Sequence, residues 1–393
     1  MTTIFLKRGR EESLLRKHPW IFSGAVQRIE GSPEEGDIVE VRSSEGQFLA
    51  RGHYQIGSIT VRVLTFEQCD INPAWWSEML RRALDMRRAI GIASSDDTNC
   101  YRLVHGEGDN LPGLVIDIYG AAAVVQAHSV GMYKSRHDIA TALRNIYGDQ
   151  LAAIYDKSAQ TLPYKAFTGA EDGYLFGSQE LPAIVTENGN RFEVDWSVGQ
   201  KTGFFLDQRD NRQLVKFYSR GRRVLNTFSY TGGFSVYALA GGAKEVVSVD
   251  SSSSAVELAN RNVKLNFGAD APHEGVVADT FDFFARNDQV FDLIILDPPA
   301  FAKHHKVLGN ALKGYTRLNA KAISRIAPGG ILFTFSCSQA VSREAFRTAV
   351  FTAATLAHRN VRILHQLTQP SDHPINIYHP EGEYLKGLVL YVE

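Results

Sequence analysis

The spacing of apolar positions changes character along this chain, and each change marks a stretch of different architecture. Asp37–Arg42 alternates, Ser44–Gly46 turns, and Gln47–Tyr54 and Ser58–Phe66 follow as further extended runs. Closely spaced strands with glycine turns predict a small β-barrel. Ile71-Asn72-Pro73 punctuates, a helix is expected from about Ala74 to Ile90, and Ser94–Asn99 reads as a loop. From Tyr101 to about Val185, strands are predicted at Leu114–Tyr119, Ala122–Ala127 and Ala152–Asp156, with a helix at Lys134–Tyr147. That order describes a small α+β unit. Ile184–Trp196 has Asn188-Gly189 at its centre, a strong hairpin signal.

From there the chain alternates. Strands are predicted at Arg223–Asn226, Glu245–Asp250, Gly275–Ala278, Phe291–Asp297, Ile331–Ser336, Val361–Leu367 and Leu388–Val392. Helices fall between them at about Phe234–Ala240, Ser253–Asn266, Thr280–Ala285, Asn310–Ile326 and Ser342–Leu356. The run Phe-Asp-Leu-Ile-Ile-Leu is what a strand buried on both faces requires. The expected fold class is α/β: a C-terminal doubly wound, mostly parallel seven-stranded sheet behind a small β-barrel and a central α+β domain. The boundaries read as 1–72, 73–187 and 188–393.

Composition narrows this little. A chain of 393 residues with 44% hydrophobic and 22% charged residues is ordinary for a globular protein. No apolar run spans a bilayer and the first ten residues lack a signal-peptide core, so a cytoplasmic location without membrane attachment is expected. Cys69, Cys100 and Cys337 form no CxxC pattern, so neither a disulfide scaffold nor a metal site is predicted. Cys69 at the barrel's end and Cys100 in a loop read as structural. Net charge is −1, so any nucleic-acid surface must be local. Lys7, Arg8, Arg10, Arg16, Lys17 and Arg28 stand against only Glu11 and Glu12, with Pro19, Trp20 and Phe22 interleaved. Cations mixed with aromatics suit stacking plus phosphate contact; a solvated face is the competing reading. Arg81, Arg82, Arg87 and Arg88 fall on more than one helix face, and there the solvated reading is preferred.

Candidate chemistry lies where strands end, because doubly wound sheets bind ligands beyond their carboxyl edges. Asn226-Thr-Phe-Ser-Tyr-Thr-Gly232-Gly233-Phe234 follows the first strand, with small residues that let a ligand approach and a helix N-terminus behind. The second strand ends in Asp250, eighteen residues after Gly232, where a carboxylate can accept from ribose hydroxyls; a helix cap from Asp250 or Ser251 is the alternative. The third leads to Asp279-Thr280. The fourth ends in Asp297-Pro298-Pro299-Ala300-Phe301, whose fixed prolines, carboxylate and aromatic can hold a flat base.

Asp297-Pro-Pro-Ala-Phe is similar to motif IV of class I S-adenosylmethionine-dependent methyltransferases, and Phe228-Ser-Tyr-Thr-Gly-Gly-Phe-Ser resembles their cofactor loop. Lys201-Thr-Gly-Phe-Phe-Leu-Asp207-Gln208-Arg209-Asp-Asn-Arg212 resembles the lead-in of one branch, the ribosomal RNA large-subunit methyltransferase I type, which makes 5-methylcytosine. The resemblance covers essentially the whole chain. It implies an N-terminal PUA domain, a central α+β domain and a C-terminal Rossmann-like methyltransferase domain. It also implies S-adenosyl-L-methionine as cofactor, held by Gln208, Asn226, Phe228, Ser229, Tyr230, Gly232, Asp250, Ser251, Asp279, Thr280 and Asp297. Ribosomal RNA is the implied partner, contacted through Pro298, Phe301, Lys303, Lys7, Arg8, Arg10 and Lys17; a homodimer stays open.

The fifth strand closes on Phe333-Thr-Phe-Ser336-Cys337-Ser338. Carbon 5 of cytosine is a poor nucleophile, and a thiolate added at carbon 6 converts the ring into an enamine that can attack a methyl group. Cys337 and Asp297 are therefore the expected catalytic pair. Ser-Cys-Ser resembles motif VI of this branch, but Gln339 follows where relatives can carry a further cysteine, which leaves adduct release unassigned. Methylation of a base amine or ring nitrogen, which needs no cysteine, and a non-catalytic RNA-binding assembly role are the competing functions. His304 and His305 read as part of a polar loop, as does the late string Asp372-His373-Pro374…Glu381-Gly382-Glu383-Tyr384-Leu385-Lys386.

Overall fold

The computed structural model describes residues 2–163, 169–301 and 308–393. Compactness divides the chain into two units, each built from separated stretches. One holds Met1–Thr186, Val194–Leu206 and Ser371–Gly382; the other holds Glu187–Glu193, Asp207–Pro370 and Glu383–Glu393.

The first unit opens with a curled six-stranded sheet: β1 (Thr3–Leu6), β2 (Trp20–Phe22), β3 (Val26–Glu30), β4 (Ile38–Arg42), β5 (Phe48–Tyr54) and β6 (Ile59–Thr65), with the one-turn α1 (Glu12–Leu15). Its order is β2-β6-β5-β4-β1-β3, and only β1 and β4 run parallel. Alternation buries Val39, Val41, Ala50, Val61 and Val63 against Ile4, Leu6 and Ile21. The last three lie on β1 and β2, which at four and three residues are too short to announce themselves. α2 (Pro73–Ala89) starts with Asn72 accepting from Trp75 N and Pro73 in its first turn. It covers a five-stranded sheet of order β11-β10-β9-β8-β7, with β7 (Cys100–His105), β8 (Leu114–Tyr119), β9 (Ala122–Ala127), β10 (Ala153–Asp156) and β11 (Gly173–Gly177). α3 (Val130–Lys134) and α4 (Arg136–Tyr147) link β9 to β10.

Two of these strands correct the sequence reading. Cys100 opens β7 rather than lying in a loop, and is fully buried with its thiol 3.5 Å from the Thr186 carbonyl. β11 was not foreseen either. Arg87 is likewise corrected: it is 0% exposed, not solvated, and its guanidinium grips Asp109 and the carbonyls of Arg102 and Asp372. Arg81, Arg82 and Arg88 are exposed beside Glu78 and Asp85, as expected of a solvated face.

The hairpin β12 (Ala183–Glu187) and β13 (Asn190–Val194) turns at Asn188-Gly189 with φ of 48° and 76°, the left-handed pair of a type I′ turn. α5 (Arg209–Tyr218) follows. The second unit's sheet comprises β14 (Arg223–Thr227), β15 (Glu245–Asp250), β16 (His273–Val277), β17 (Phe291–Leu296), β18 (Ile326–Ser336), β19 (Val361–Leu367) and β20 (Lys386–Val392). α6 (Gly233–Ala240), α7 (Ser253–Phe267), α8 (Thr280–Arg286), α9 (Leu308–Arg325) and α10 (Arg343–Leu356) connect them. The order β16-β15-β14-β17-β18-β20-β19 is parallel except for β20, antiparallel to both neighbours. Leu293–Leu296 are all 0% exposed, as the unbroken apolar run requires. α9 lays Ala311, Tyr315, Leu318 and Ala322 on the sheet at helical spacing. The strand order reverses between β14 and β17, so their carboxyl ends border a crevice.

Candidate active site

Every element of the candidate cofactor site belongs to the second unit. β14 delivers the chain into a loop where two non-glycine residues take positive φ, Phe228 at 53° and Tyr230 at 44°, followed by Gly232 at 76°. Such conformations cost of order 1–3 kcal/mol each and persist only where surroundings impose them. The imposing groups are visible: Ser229 N donates to Val249 O at 3.0 Å, and Tyr230 N donates to the Asp250 carboxylate at 2.9 Å. A β-carbon on Gly232 would lie 2.9 Å from that of Ala259, so the tight approach of loop to α7 admits only glycine. On Gly233 it would meet Arg212 at 3.3 Å. Arg212 is buried beneath, held by both oxygens of Glu187 at 2.8 and 2.7 Å, while the Tyr237 hydroxyl donates to Glu187 at 2.9 Å.

The predicted cofactor residues do not all face one way. Asp250 is half-buried and also accepts from Ser252 N at 2.9 Å. The cap of α7 is Ser252, not Asp250 or Ser251, through Ala255 N; Ser251 is exposed. Asp279 caps α8 by accepting from Phe281 N and Asp282 N, is exposed, and Thr280 beside it is buried. Asn226 is 1% exposed and turns into the fold, giving its amide to Ser235 Oγ at 2.8 Å. Ser229 Oγ is buried with no hydrogen-bond partner among the described residues, so the loop holds a donor–acceptor still to be satisfied. That orphan hydroxyl beside the Asp250 carboxylate fits a ligand rich in hydroxyl and amino groups.

On the other side of the crevice, Gln208 is 3% exposed and donates to Asp297 Oδ2 at 3.1 Å. Its own oxygen accepts from Asn211 at 2.6 Å, which fixes its orientation. Pro298 is buried, and the Phe301 ring packs on Tyr315 with centroids 4.7 Å apart. Phe301 is therefore partly spent in the core rather than held out as a stacking platform. Lys303, His304 and His305 lie outside the described residues. Cys337 follows β18 directly, half-buried, with Sγ 3.9 Å from the Pro298 carbonyl oxygen. β17 and β18 are parallel neighbours, so the Asp297-Pro298 turn and the thiol emerge side by side.

In the first unit Lys7, Arg8, Arg10 and Lys17 are all exposed. The Lys7 ammonium donates to Gly24 O at 2.9 Å, and that of Lys17 lies 4.7 Å from the Phe66 ring centroid. Trp20 is not presented for stacking: its indole donates to Glu107 at 2.8 Å. The late loop is not merely polar. Asp372 and His373 are 0% and 1% exposed, and Asp372 accepts from Arg102 N at 3.0 Å while Arg102 forks onto Asp117 at 2.7 and 2.8 Å. Sequence reasoning missed this buried ionic cluster because Arg102 and Asp372 lie 270 positions apart. His18, His379 and Glu381 bring ligand-type atoms within 4.8 Å of one another. Burial lowers the pKa of His379, opposed by the carboxylates of Glu107 and Glu381.

A family profile described as S-adenosylmethionine-dependent methyltransferase matches residues 167–375, and one for a PUA-like domain matches 4–66. The ribosomal RNA large subunit methyltransferase I of Aeromonas salmonicida is 42% identical, with 98% of each chain covered. The chain belongs to the ribosomal RNA large subunit methyltransferase I family. The Salmonella typhi member is 41% identical over 99% of this chain and 97% of its own. Solved structures agree on the fold. A protein from Streptococcus mutans described as a SAM-dependent methyltransferase aligns over 100% of both chains with 24% identity and a TM-score of 0.84. SMU.776, a methyltransferase complexed with SAH, aligns equally fully at 0.85 and 24% identity. As a family member the chain is an S-adenosylmethionine-dependent methyltransferase with an N-terminal PUA-like domain. Among the described residues no helix is long and apolar enough to cross a membrane.

Proposed function

We propose that this methyltransferase forms 5-methylcytosine in large-subunit ribosomal RNA in the cytoplasm, with Cys337 as covalent nucleophile. One observation carries the reading: the Cys337 thiol closes β18 within 3.9 Å of the Pro298 carbonyl, beside the turn that begins with Asp297. A base held by that turn lies within reach of the sulfur. The names of the full-length relatives supply the substrate class.

S-adenosylmethionine, when bound, supplies an electrophilic methyl group. Its ribose falls to Asp250, with the strained loop Phe228–Gly232, Ser251, Asp279 and Thr280 lining the remainder. Asn226 supports the loop from behind through Ser235, and Gln208 keeps Asp297 oriented. The Cys337 thiolate adds to carbon 6 of the cytosine, which places electron density on carbon 5. Asp297, at the base edge, stabilises the proton that nitrogen 3 gains as the ring loses aromaticity. Once carbon 5 carries the methyl group, loss of its proton expels the Cys337 thiolate and restores the ring. Attack from one face requires the target to leave its stack, so the base is flipped or already unpaired. Lys7, Arg8, Arg10 and Lys17 furnish phosphate contacts from the PUA-like domain.

RNA carrying 5-fluorocytosine, incubated with the enzyme and S-adenosylmethionine, should be trapped as a covalent complex, because fluorine does not leave carbon 5 as a proton does. Cys337→Ala should lose both trapping and turnover while keeping cofactor affinity. Full activity of that variant would reject the adduct and leave methylation of a base amine or ring nitrogen as the reaction.

A further inference from the structure

The turn that carries Cys337 is gripped from two sides. From α9, Tyr315 OH accepts from Ser336 Oγ at 2.9 Å and lies 3.1 Å from Ser338 Oγ. From β20, the Lys386 ammonium donates to the Ser338 carbonyl oxygen at 2.8 Å. Lys386 stands directly opposite Ser336 in the β18–β20 ladder and is only 4% exposed. A buried ammonium is expensive, and an apolar side chain of similar length would fill the same space without that cost. Of its three donors, the bond to Ser338 uses one.

Burial pushes the Lys386 pKa down to about 8, opposed by attraction to Cys337 and Glu383, with Arg343 adding to the depression. At neutral pH the group remains mostly ammonium. A neutral donor could serve the Ser338 carbonyl equally well, and Tyr315 and Ser336 already bond to each other. Among the groups in that set, Cys337 is the one that becomes an anion only during the reaction. Glu383 is already engaged by Arg343.

We propose that Lys386 is a positioning residue for the cysteine chemistry: its buried ammonium fixes the Ser336–Ser338 turn and stabilises the Cys337 thiolate. This rests on the reading of Cys337 as nucleophile. The thiol proton passes to solvent, and Lys386 stays protonated throughout, so no proton is exchanged between the two. A neighbouring cation is among the recognised means of lowering a thiol's pKa. Before the adduct forms, Lys386 balances the thiolate. After sulfur binds carbon 6 that charge is gone, and Lys386 favours its return when the thiolate is expelled.

The test reads Cys337 alone, by mass spectrometry of its tryptic peptide after iodoacetamide pulses from pH 5 to 10 on the full-length protein. Wild-type protein should alkylate with a midpoint below the ~8.5 of an ordinary cysteine. Lys386→Met should raise that midpoint by about one pH unit and slow alkylation at pH 7 by roughly three- to tenfold, the range between a nucleophilicity-compensated and a full loss of thiolate. Lys386→Arg, which keeps the charge, should restore most of the shift. In turnover assays the Met variant should lose kcat with cofactor affinity unchanged. A wild-type midpoint at or above 8.5 overturns the proposal even if the Met variant fails to fold. So do coincident midpoints in wild type and a folded Met variant. If the midpoint depends on Lys386 while 5-fluorocytosine RNA is never trapped, the adduct reading fails and the coupling stands. If trapping occurs with coincident midpoints, the coupling fails and the adduct reading stands.

Discussion

Replacing Asp250 with alanine should uncouple cofactor binding from folding, and the hydrogen bonds around the carboxylate set the size of the effect. One oxygen accepts from Tyr230 N and the other from Ser252 N, both at 2.9 Å. The first holds Tyr230 at φ 44° and, through the loop, Phe228 at 53°. Removing it releases a backbone strained by roughly 1–3 kcal/mol per residue. The second is redundant, because Ser252 caps α7 through its own side chain. Removing the carboxylate also deletes a charge-assisted acceptor for a ribose hydroxyl, worth about 1.5–3 kcal/mol. At 1.4 kcal/mol per decade the expected loss of S-adenosylmethionine affinity is roughly 10- to 150-fold. Asp250→Asn keeps a neutral acceptor facing Tyr230 N and should fall between the two. Isothermal titration calorimetry with S-adenosylmethionine measures all three proteins, with circular dichroism to establish that they are folded. If folded Asp250→Ala binds within twofold of wild type, the carboxylate neither shapes the loop nor touches the cofactor, and the assignment of this strand end is wrong.

Two further expectations concern stability. Glu187 is 0% exposed and receives both arms of Arg212 as well as the Tyr237 hydroxyl, so Glu187→Ala strands a buried guanidinium. It should destabilise the methyltransferase unit by about 3–5 kcal/mol, read as a lowered urea midpoint for its transition; an unchanged midpoint would show that Arg212 finds another partner. His53 is 2% exposed beside Trp76, and burial, reinforced by Lys134 and Arg62, lowers its pKa to about 4. Its folded pKa lies below the unfolded value, so the unfolded chain binds the extra proton. This stability is complete above about pH 6.5 and is lost as pH falls toward 4, up to roughly 3 kcal/mol. His53→Gln should flatten the acid side of the thermal-stability profile, and a profile identical to wild type would exclude His53 as the titrating group.

How far the residues alone speak depends on whether a feature is local. The continuous apolar run of β17 required a strand buried on both faces, and the alternation with helices required a parallel sheet. Asn188-Gly189 signalled a hairpin, and the chain turns there with positive φ at both positions. The carboxyl-end positions of Asp250, Asp297 and Cys337 followed from these periods, because a strand's length fixes where it stops. β1, β2, β7 and β11 escaped notice: they are three to six residues long, and β7 interrupts its apolar pattern with Arg102. Their strand state is imposed by ladder partners rather than by their own pattern. Arg87 looked like a solvated charge because its helix carries three exposed arginines; its burial depends on Asp109 and on a carbonyl at Asp372. Lys386 is alike. By composition it is one lysine in a polar string, and only the antiparallel return of β20 beside β18 sets it against the Cys337 turn. Period and turn chemistry act over a few residues and can be read in one dimension. The desolvation of a charge, and the partner that compensates it, exist only once distant segments have packed.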